Sequence, residues 1–160
     1  MRRKDREIAD LNQIVEIVDK CDVIRIGLAD GNFPYIVPLN FGYKYEEGEL
    51  TFCIHGAMAG RKYEMLQKNP VCSFEMDIPI KMECLVKEKD VTMRYESVMG
   101  TATVEFVPDD QKKQVIDEML MSRYDETKDF EYNEKALAVT AVMVLHVTDI
   151  IGKRNVTGAD

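Results

Sequence analysis

Short β-rich segments separated by turn residues most constrain the fold of this chain. Residues 23–28 are rich in β-branched side chains and close at Asp30-Gly31-Asn32, and a second predicted strand, residues 35–43, follows directly. The acidic turn at residues 46–49 leads into a third predicted strand, residues 50–54. Strands this short, joined by turns instead of helices, are typical of antiparallel sheets and barrels.

The rest of the chain adds strands and a few helices. Pro38 lies inside a predicted strand, and because proline cannot donate to a ladder we expect an edge or a bulge there. Gly100 predicts another bulge or bend. Apolar spacing and turn residues predict helices over residues 5–20, over residues 61–68 and from Asp109 onward, and strands over residues 71–76, 95–107 and 136–151. Residues 79–90 predict a loop with a strand piece, and residues 125–133 predict an irregular segment.

Length and charge narrow the class of protein. The 160 residues fit one domain, which we place at residues 1–154 with a tail at residues 155–160. A net charge of −8 disfavours general nucleic-acid binding. Apolar runs stay short of the roughly 20 residues that a membrane helix needs, and the basic N-terminus lacks the apolar stretch of a secretory signal. We therefore expect a cytoplasmic protein without membrane contact.

The cysteines and histidines do not predict a metal site. Cys21, Cys53, Cys72 and Cys84 form no C-x-x-C pair, and only two histidines are present. The first three cysteines lie in or beside apolar segments, so we expect buried, reduced thiols there.

The segment most informative about function follows the third predicted strand. Residues 55–60, His-Gly-Ala-Met-Ala-Gly, predict a small-residue loop, and Arg61 and Lys62 begin a helix. Cations at a helix N-terminus oppose its dipole, whereas a phosphate bound there would remove that penalty. A solvated Arg-Lys pair opening an exposed helix explains the segment equally well. A P-loop does not, because the spacing is one residue short and Tyr63 replaces the Ser or Thr.

The order of these motifs resembles a known family. A hairpin with Asp-Gly in its turn precedes Pro-Tyr-Ile-Val-Pro-Leu-Asn-Phe at residues 34–41. His-Gly-Ala, Gly-Arg-Lys, a short helix, Asn-Pro and the strand Tyr-Glu-Ser-Val-Met-Gly at residues 95–100 follow. This order is similar to that of the pyridoxamine-5′-phosphate-oxidase-like split barrels, and most similar to the branch named for nitroimidazole-resistance proteins. The resemblance covers about residues 2–153.

The resemblance implies a mainly β (α+β) fold, a six-stranded antiparallel split β-barrel with flanking helices. It also implies a homodimer with FMN in the groove between the subunits. The family's phosphate-binding element matches Gly60, Arg61 and Lys62, and His55 matches a histidine near the flavin. The remaining cofactor-binding residues that it implies are Arg25, Val37, Pro38, Leu39, Asn40, Tyr95 and Ser97.

Each implied contact has a structural alternative. Arg25, Tyr95 and Ser97 are also consistent with ordinary strand positions that face outward. Pro38 and Leu39 are also consistent with packing that involves no ligand. His55 fits a strand-end histidine bonded to backbone. His146 alternates with apolar neighbours, and we interpret it as structural. The family's namesake oxidase holds its substrate phosphate with further basic residues near the C-terminus, where this chain has only Lys153-Arg154, which argues against pyridoxamine phosphate as substrate.

The function implied is that of an FMN-dependent reductase. It would pass electrons from NAD(P)H to a small acceptor such as a nitroaromatic, with His55 as the catalytic residue beside the flavin. The alternatives are a flavin-binding or redox-sensing protein without turnover, or haem binding in the same groove, because a fold does not fix a function.

Overall fold

The computed structural model describes residues 2–123 and 130–156. Its strands are β1 (Glu7–Ile8), β2 (Ile24–Leu28), β3 (Tyr35–Leu39), β4 (Gly42–Glu46), β5 (Glu49–Ala57), β6 (Val71–Leu85), β7 (Asp90–Phe106) and β8 (Thr140–Asn155). Its α-helices are α1 (Leu11–Asp19), α2 (Arg61–Lys68), α3 (Lys112–Val115) and α4 (Glu134–Ala138). A 3₁₀ turn (Lys4–Arg6) precedes β1, and α3 continues as a π-helical turn (Ile116–Leu120) and a 3₁₀ turn (Met121–Arg123).

All eight strands form one antiparallel sheet. The strand order is β3-β2-β6-β7-β8-β5-β4, and β1 pairs separately with β8. Within the described residues, the six predicted strands are therefore eight, because β1 was missed and the strand predicted over residues 35–43 is two strands. β3 is an edge strand, so the expected edge position of Pro38 is confirmed.

The predicted strand over residues 35–43 is wrong as one element. The chain leaves β3 after Leu39 and re-enters the sheet at Gly42, where β4 pairs with β5 at the opposite end of the strand order. Gly42 permits this path because a Cβ at that position would overlap the backbone of Met119. Arg123 fastens the same region, since its guanidinium donates to the backbone oxygens of Asp19, Cys21 and Phe41.

The first and the last of the three predicted helices begin later in the sequence than expected. The side chain of Asp10 accepts a hydrogen bond from Asn12 N at 2.8 Å and caps α1, so the helix starts at Leu11, not at residue 5. The residues before the cap form the 3₁₀ turn and β1 instead. The helix expected from Asp109 starts at Lys112 and becomes a π-helical turn, but its predicted apolar stripe packs inward as expected at Ile116, Met119 and Leu120.

Several strands are longer than the sequence predicted. β5 extends through Ala57, and β6 and β7 continue as a long hairpin through residues 79–90, where only a strand piece was predicted. A register shift lies between Thr101 and Ala102, one residue beyond Gly100, while Gly100 itself lets Asp149 and Phe74 approach closely.

The end of the chain also differs from the prediction. Residues 136–138 belong to α4, which Asn133 caps by accepting from two backbone N–H groups, and β8 runs from Thr140 to Asn155. Asn155, predicted to begin the tail, is buried in that strand. Residues 124–129 and 157–160 lie outside the described residues, so most of the irregular segment predicted at 125–133, and most of the tail, is untested.

The main core lies between the sheet and the faces of α1 and α2. Ile14, Ile17 and Val18 of α1 and Leu66 of α2 are fully or almost fully buried in it. Phe52 contacts Phe41 and Phe74 edge to face, with ring centroids 5.7 and 5.2 Å apart. Cys21 and Cys72 are free thiols buried in this core, and Cys53 is buried in a smaller cluster beneath α3, as predicted.

Candidate functional site

The end of β5 and the start of α2 form the centre of the candidate site. His55, Gly56 and Ala57 are the last residues of β5, and they pair with Val142, Ala141 and Thr140 of β8. The predicted loop over residues 55–60 is therefore only residues 58–60. The sheet ladder fixes the backbone of His55 and Gly56, and α2 begins at Arg61, as the sequence predicted.

Gly60 turns the chain into α2. Its φ of 92° and ψ of 174° lie in a region of backbone conformation that residues other than glycine rarely adopt. Gly60 is the N-cap residue and has no side chain to accept hydrogen bonds from the helix. The first N–H groups of an α-helix have no intrahelical partner. This N-terminus therefore offers N–H donors to an anion, together with the positive end of the helix dipole.

Lys62 lies across the end of β5. Its Nζ donates to the backbone oxygen of His55 at 3.2 Å. A Cβ at position 56 would lie 2.5 Å from the same Nζ, so the ammonium occupies the space that a side chain at Gly56 would fill. Burial lowers the pKa of Lys62 below its ordinary value of 10.5.

Arg61 extends toward the turn between β2 and β3. Its guanidinium forms an ion pair with Asp30 in that turn and stacks on the Tyr35 ring, 4.5 Å from the centroid. The Arg61 side chain is 59% exposed. The contact with Asp30 is therefore a solvent-screened pair of the kind that is worth little, and a better anionic partner can replace it.

His55 presents its side chain to a cleft of about 320 Å³. Partial burial and the nearby charge of Lys62 lower the pKa of His55 below its ordinary 6.5. The imidazole is therefore mainly neutral at pH 7, with one ring nitrogen as donor and the other as acceptor. The other residues that line this cleft are Val23, Pro38, Leu39 and Asn40.

The structure thus brings part of the predicted set together. His55, Pro38, Leu39 and Asn40 share one cleft, and Lys62 touches the His55 backbone. The Asn40 side-chain amide donates to the Asp22 backbone oxygen at 3.4 Å. Val37 packs against the main core and is not among the residues that line the cleft.

Three predicted residues lie elsewhere on the sheet. The Nη1 of Arg25 bonds to Glu75 at 3.2 Å and to Asp77 at 2.7 Å on an exposed face. Tyr95 and Ser97 lie on β7 and do not line the cleft described above.

The C-terminal basic pair is occupied by contacts within the chain. The Arg154 Nε donates to Glu96 at 2.6 Å, and the Lys153 ammonium lies 5.1 Å from the centre of the Tyr95 ring. His146, exposed on β8, lies 2.8 Å from a carboxylate oxygen of Glu105.

Sequence reasoning missed four residues of this region. Val23 lines the cleft, Gly56 makes room for the Lys62 ammonium, and Asp30 and Tyr35 hold Arg61. The hairpin turn containing Asp30 was recognised, but not its position beside α2. The small residue after His55 was a usable signal for Gly56.

The described residues also bear on whether the chain has a metal site, a membrane-spanning helix or a nucleophilic thiol. Within residues 2–123 and 130–156, no group of three or more His, Cys, Asp or Glu side chains is arranged to hold a metal ion. Over the same part of the chain, no helix has the length and apolar character needed to cross a bilayer. Burial raises the pKa of the Cys53 thiol to about 12, so that thiol is not poised as a nucleophile.

Solved structures show which folds are similar. A candidate 5-nitroimidazole antibiotic resistance protein of Bacteroides thetaiotaomicron VPI-5482 is 31% identical, with a TM-score of 0.77 over 92% of this chain and 85% of that one. The FAD and haem binding protein of Mycobacterium smegmatis has a TM-score of 0.81 at 17% identity, over 97% of this chain and 76% of that one. An FAD-binding protein of Mesorhizobium loti has a TM-score of 0.66 at 20% identity, over 94% and 98% of the two chains.

The two more distant structures support the fold alone, and a comparison with curated proteins gave no match. The antiparallel sheet with few flanking helices is the split-barrel fold predicted from the sequence, with eight strands in the described part of the chain instead of six. The family model described as pyridoxamine 5′-phosphate oxidase matches residues 10–154. This match, with the 31% identity above, shows that the chain belongs to the pyridoxamine 5′-phosphate oxidase family.

Proposed function

We propose that this protein binds FMN and acts as a reductase, passing electrons from NAD(P)H to a small acceptor such as a nitroaromatic compound. The observation that carries the proposal is the arrangement at the start of α2. There a glycine N-cap with open space beside it and two cationic side chains offer donors to one phosphoryl group, and the strand-end Gly56 lets the Lys62 ammonium lie next to the His55 cleft.

The residues present fit a phosphomonoester. Arg61 and Lys62 follow the N-cap directly, where their charges oppose the helix dipole unless an anion lies between them and the N–H groups. A phosphate dianion would be a better partner for Arg61 than Asp30, because charge-assisted bonds to phosphate are short and frequently bidentate. Lys62 is already held over Gly56, so it pays little additional ordering entropy when an anion binds.

The cleft next to this position fits the rest of the cofactor. Pro38, Leu39 and Asn40 line the cleft, and His55 contributes a ring with one donor and one acceptor nitrogen. When bound, the flavin supplies hydride and electron transfer. The chain orients it, shields one side from water, and holds a proton on an imidazole nitrogen of His55, from which a hydrogen bond or a proton can be given.

The similar proteins support this choice of chemistry. The relative at 31% identity is a candidate nitroimidazole resistance protein, which favours a nitroaromatic acceptor. The Mesorhizobium loti protein binds FAD, and the Mycobacterium smegmatis protein binds FAD and haem. Haem in the same groove is therefore the second candidate. Pyridoxamine phosphate is disfavoured as substrate, since Arg154 is committed to Glu96. A reductase using NAD(P)H would work in the cytoplasm, which is where we place the protein.

We also propose a homodimer, supported by the far end of the β6–β7 hairpin. Residues 81–94, here called the arm, pair only with each other among the described strands. Met82 lies opposite Met93, and Cys84 lies opposite Val91, so the four apolar side chains share one face. All four are exposed, and Met82 is 68% exposed. A two-stranded ribbon is marginally stable alone, so this face needs a cover.

The same face of β7 continues toward the predicted groove residues. Tyr95, Ser97 and Met99 follow Met93 at intervals of two residues, which places them on one side of the strand. A second copy that covers the arm would extend over this side as well. This supports the expectation that Tyr95 lines a groove completed by the partner, whereas Ser97 is already buried within one chain.

Purification and turnover test the proposal. We expect the protein to purify yellow and to release FMN when it is denatured. With NADH or NADPH and a nitroaromatic acceptor, we expect steady-state reduction. His55→Ala should keep the flavin and change the turnover, whereas His146→Ala, which removes the other histidine, should leave both unchanged. Bound FMN without turnover would favour the non-catalytic alternative, and a Soret band would favour haem. Normal rates in His55→Ala would reject its catalytic role.

A further inference from the structure

A second cavity, of about 470 Å³, lies between α2, α3, the end of β7 and the start of β8. Its wall is mostly apolar and includes Met58, Leu66 and Phe106. It shares no lining residue with the cleft beside His55. Its volume falls within the range of about 300–1,000 Å³ that is usual for small-molecule sites.

One cation lies in the wall of this apolar cavity. Lys112 of α3 is 3% exposed, although lysine almost always keeps its ammonium in water. Its Nζ contacts Asp109 Oδ1 at 2.6 Å and the sulfur of Met58 at 3.7 Å. A thioether is a weak acceptor, so a buried ammonium with these contacts gains from a further anionic oxygen.

The present carboxylate partner of Lys112 is replaceable. The Asp109 side chain is 83% exposed, so it reaches the ammonium from the solvent side and can return to water at low cost. Asp109 also lines the cavity. A ligand carboxylate entering from the mouth would therefore meet Lys112 as its partner and Asp109 as its competitor.

The shape and chemistry of the wall define the rest of the ligand. Tyr63 and Phe106 meet edge to face, with centroids 5.4 Å apart, and Leu66 lies on the same helix as Tyr63. These surfaces favour an apolar body. We propose that this cavity binds an amphipathic monocarboxylate, whose apolar part packs between α2 and β7 and whose carboxylate pairs with the Lys112 ammonium.

Octanoate and 1-octanol are suitable probes, because they share a chain length and differ in charge. Calorimetric titration of the full-length protein should show saturable octanoate binding and weaker octanol binding. Lys112→Met should weaken octanoate at least about tenfold, since a charge-assisted contact is lost. Asp109→Asn, which removes the competing charge, should tighten octanoate about two- to fivefold. For octanol, we expect neither the loss of affinity in Lys112→Met nor the gain of affinity in Asp109→Asn.

Two controls make the outcome decisive. Arg61→Ala with Lys62→Ala should leave octanoate affinity unchanged, because these cations belong to the other site. Asp109 is exposed, so its variant keeps the test available if Lys112→Met does not fold. The proposal would be overturned if octanoate did not bind saturably or if octanol bound equally well. It would also be overturned if octanoate affinity were unchanged in both the Lys112 and the Asp109 variants, or if binding were lost in the Arg61 and Lys62 variant.

Discussion

The ammonium of Lys62 donates to the backbone oxygen of His55 at 3.2 Å, across a position where the chain has no side chain. This contact joins the first turn of α2 to the end of β5. It places the cationic part of the candidate phosphate site next to the imidazole that lines the cleft. The predictions below follow from that juxtaposition and from the exposed arm.

Gly56→Ala tests the space beneath Lys62. The added Cβ would lie 2.5 Å from the Lys62 Nζ, so the flexible ammonium must move away while the strand remains paired. We expect FMN affinity to fall about tenfold, because one charge-assisted contact of about 1.5–3 kcal/mol is misplaced. Calorimetric titration with FMN measures it.

Gly27→Ala is the matched control for this substitution. Gly27 also lies in a strand, and a Cβ there would meet only the Ser73 backbone oxygen at 4.0 Å, an ordinary contact. Its FMN affinity should equal that of the wild type. If Gly56→Ala binds FMN as tightly as the Gly27 control, the ammonium position does not matter for the cofactor.

The titration of His55 tests the electrostatics of the cleft. Burial, followed by the charge of Lys62, lowers the pKa of His55 below 6.5. Lys62→Met should raise that pKa toward 6.5 without reaching it, because the burial remains. NMR titration of the imidazole measures the change, and His146→Gln assigns the second histidine signal. An unchanged His55 pKa in Lys62→Met would contradict the described contact.

The same shift has a consequence for stability. Because the folded protein holds the neutral form of His55 more strongly than the unfolded chain does, the unfolded chain binds more protons below pH 6.5. The free energy of unfolding should therefore lose a contribution as the pH falls through the interval below 6.5. Lys62→Met should make this loss smaller, which denaturant titrations at several pH values can measure.

Elements of this fold differ in how far local sequence determines them. The bounds of α2 were predicted correctly because Gly60 and two cations mark its start and Asn69-Pro70 mark its end. α4 was missed because residues 136–138 look like the start of an apolar strand, whereas the Asn133 cap and good helix formers decide otherwise. The break between β3 and β4 depends on a close approach to Met119, which is remote in sequence.

The candidate site likewise has one part that local sequence determines and another part that depends on tertiary contacts. His55, Gly60, Arg61 and Lys62 lie within eight residues of sequence, so their proximity could be predicted from one motif. Asp30 reaches Arg61 only because the β2–β3 hairpin lies beside α2, which is a tertiary relationship. No local pattern reports such a contact between segments thirty residues apart.

The arm predicts the oligomeric state. Met82→Glu with Met93→Glu places two charges on a face that we expect a second copy to bury. Light scattering coupled to size exclusion should show a dimer for the wild type and a monomer for this variant, because like charges at a buried interface are costly. Val86→Glu, at the 83% exposed tip, is the control and should remain dimeric. A monomeric wild type, or a dimeric double variant, would contradict the proposed role of the arm.

The most direct measurement compares FMN and riboflavin binding to the wild type and to the Arg61→Ala, Lys62→Ala double variant. Riboflavin lacks the phosphate, so only FMN depends on the two cations. We expect the double variant to bind FMN at least about tenfold more weakly, at about 1.5–3 kcal/mol for each lost contact, and riboflavin unchanged. Lys68→Ala, at the other end of α2, should bind both as the wild type does. An unchanged FMN affinity in the double variant would contradict the assignment of the phosphate to the start of α2.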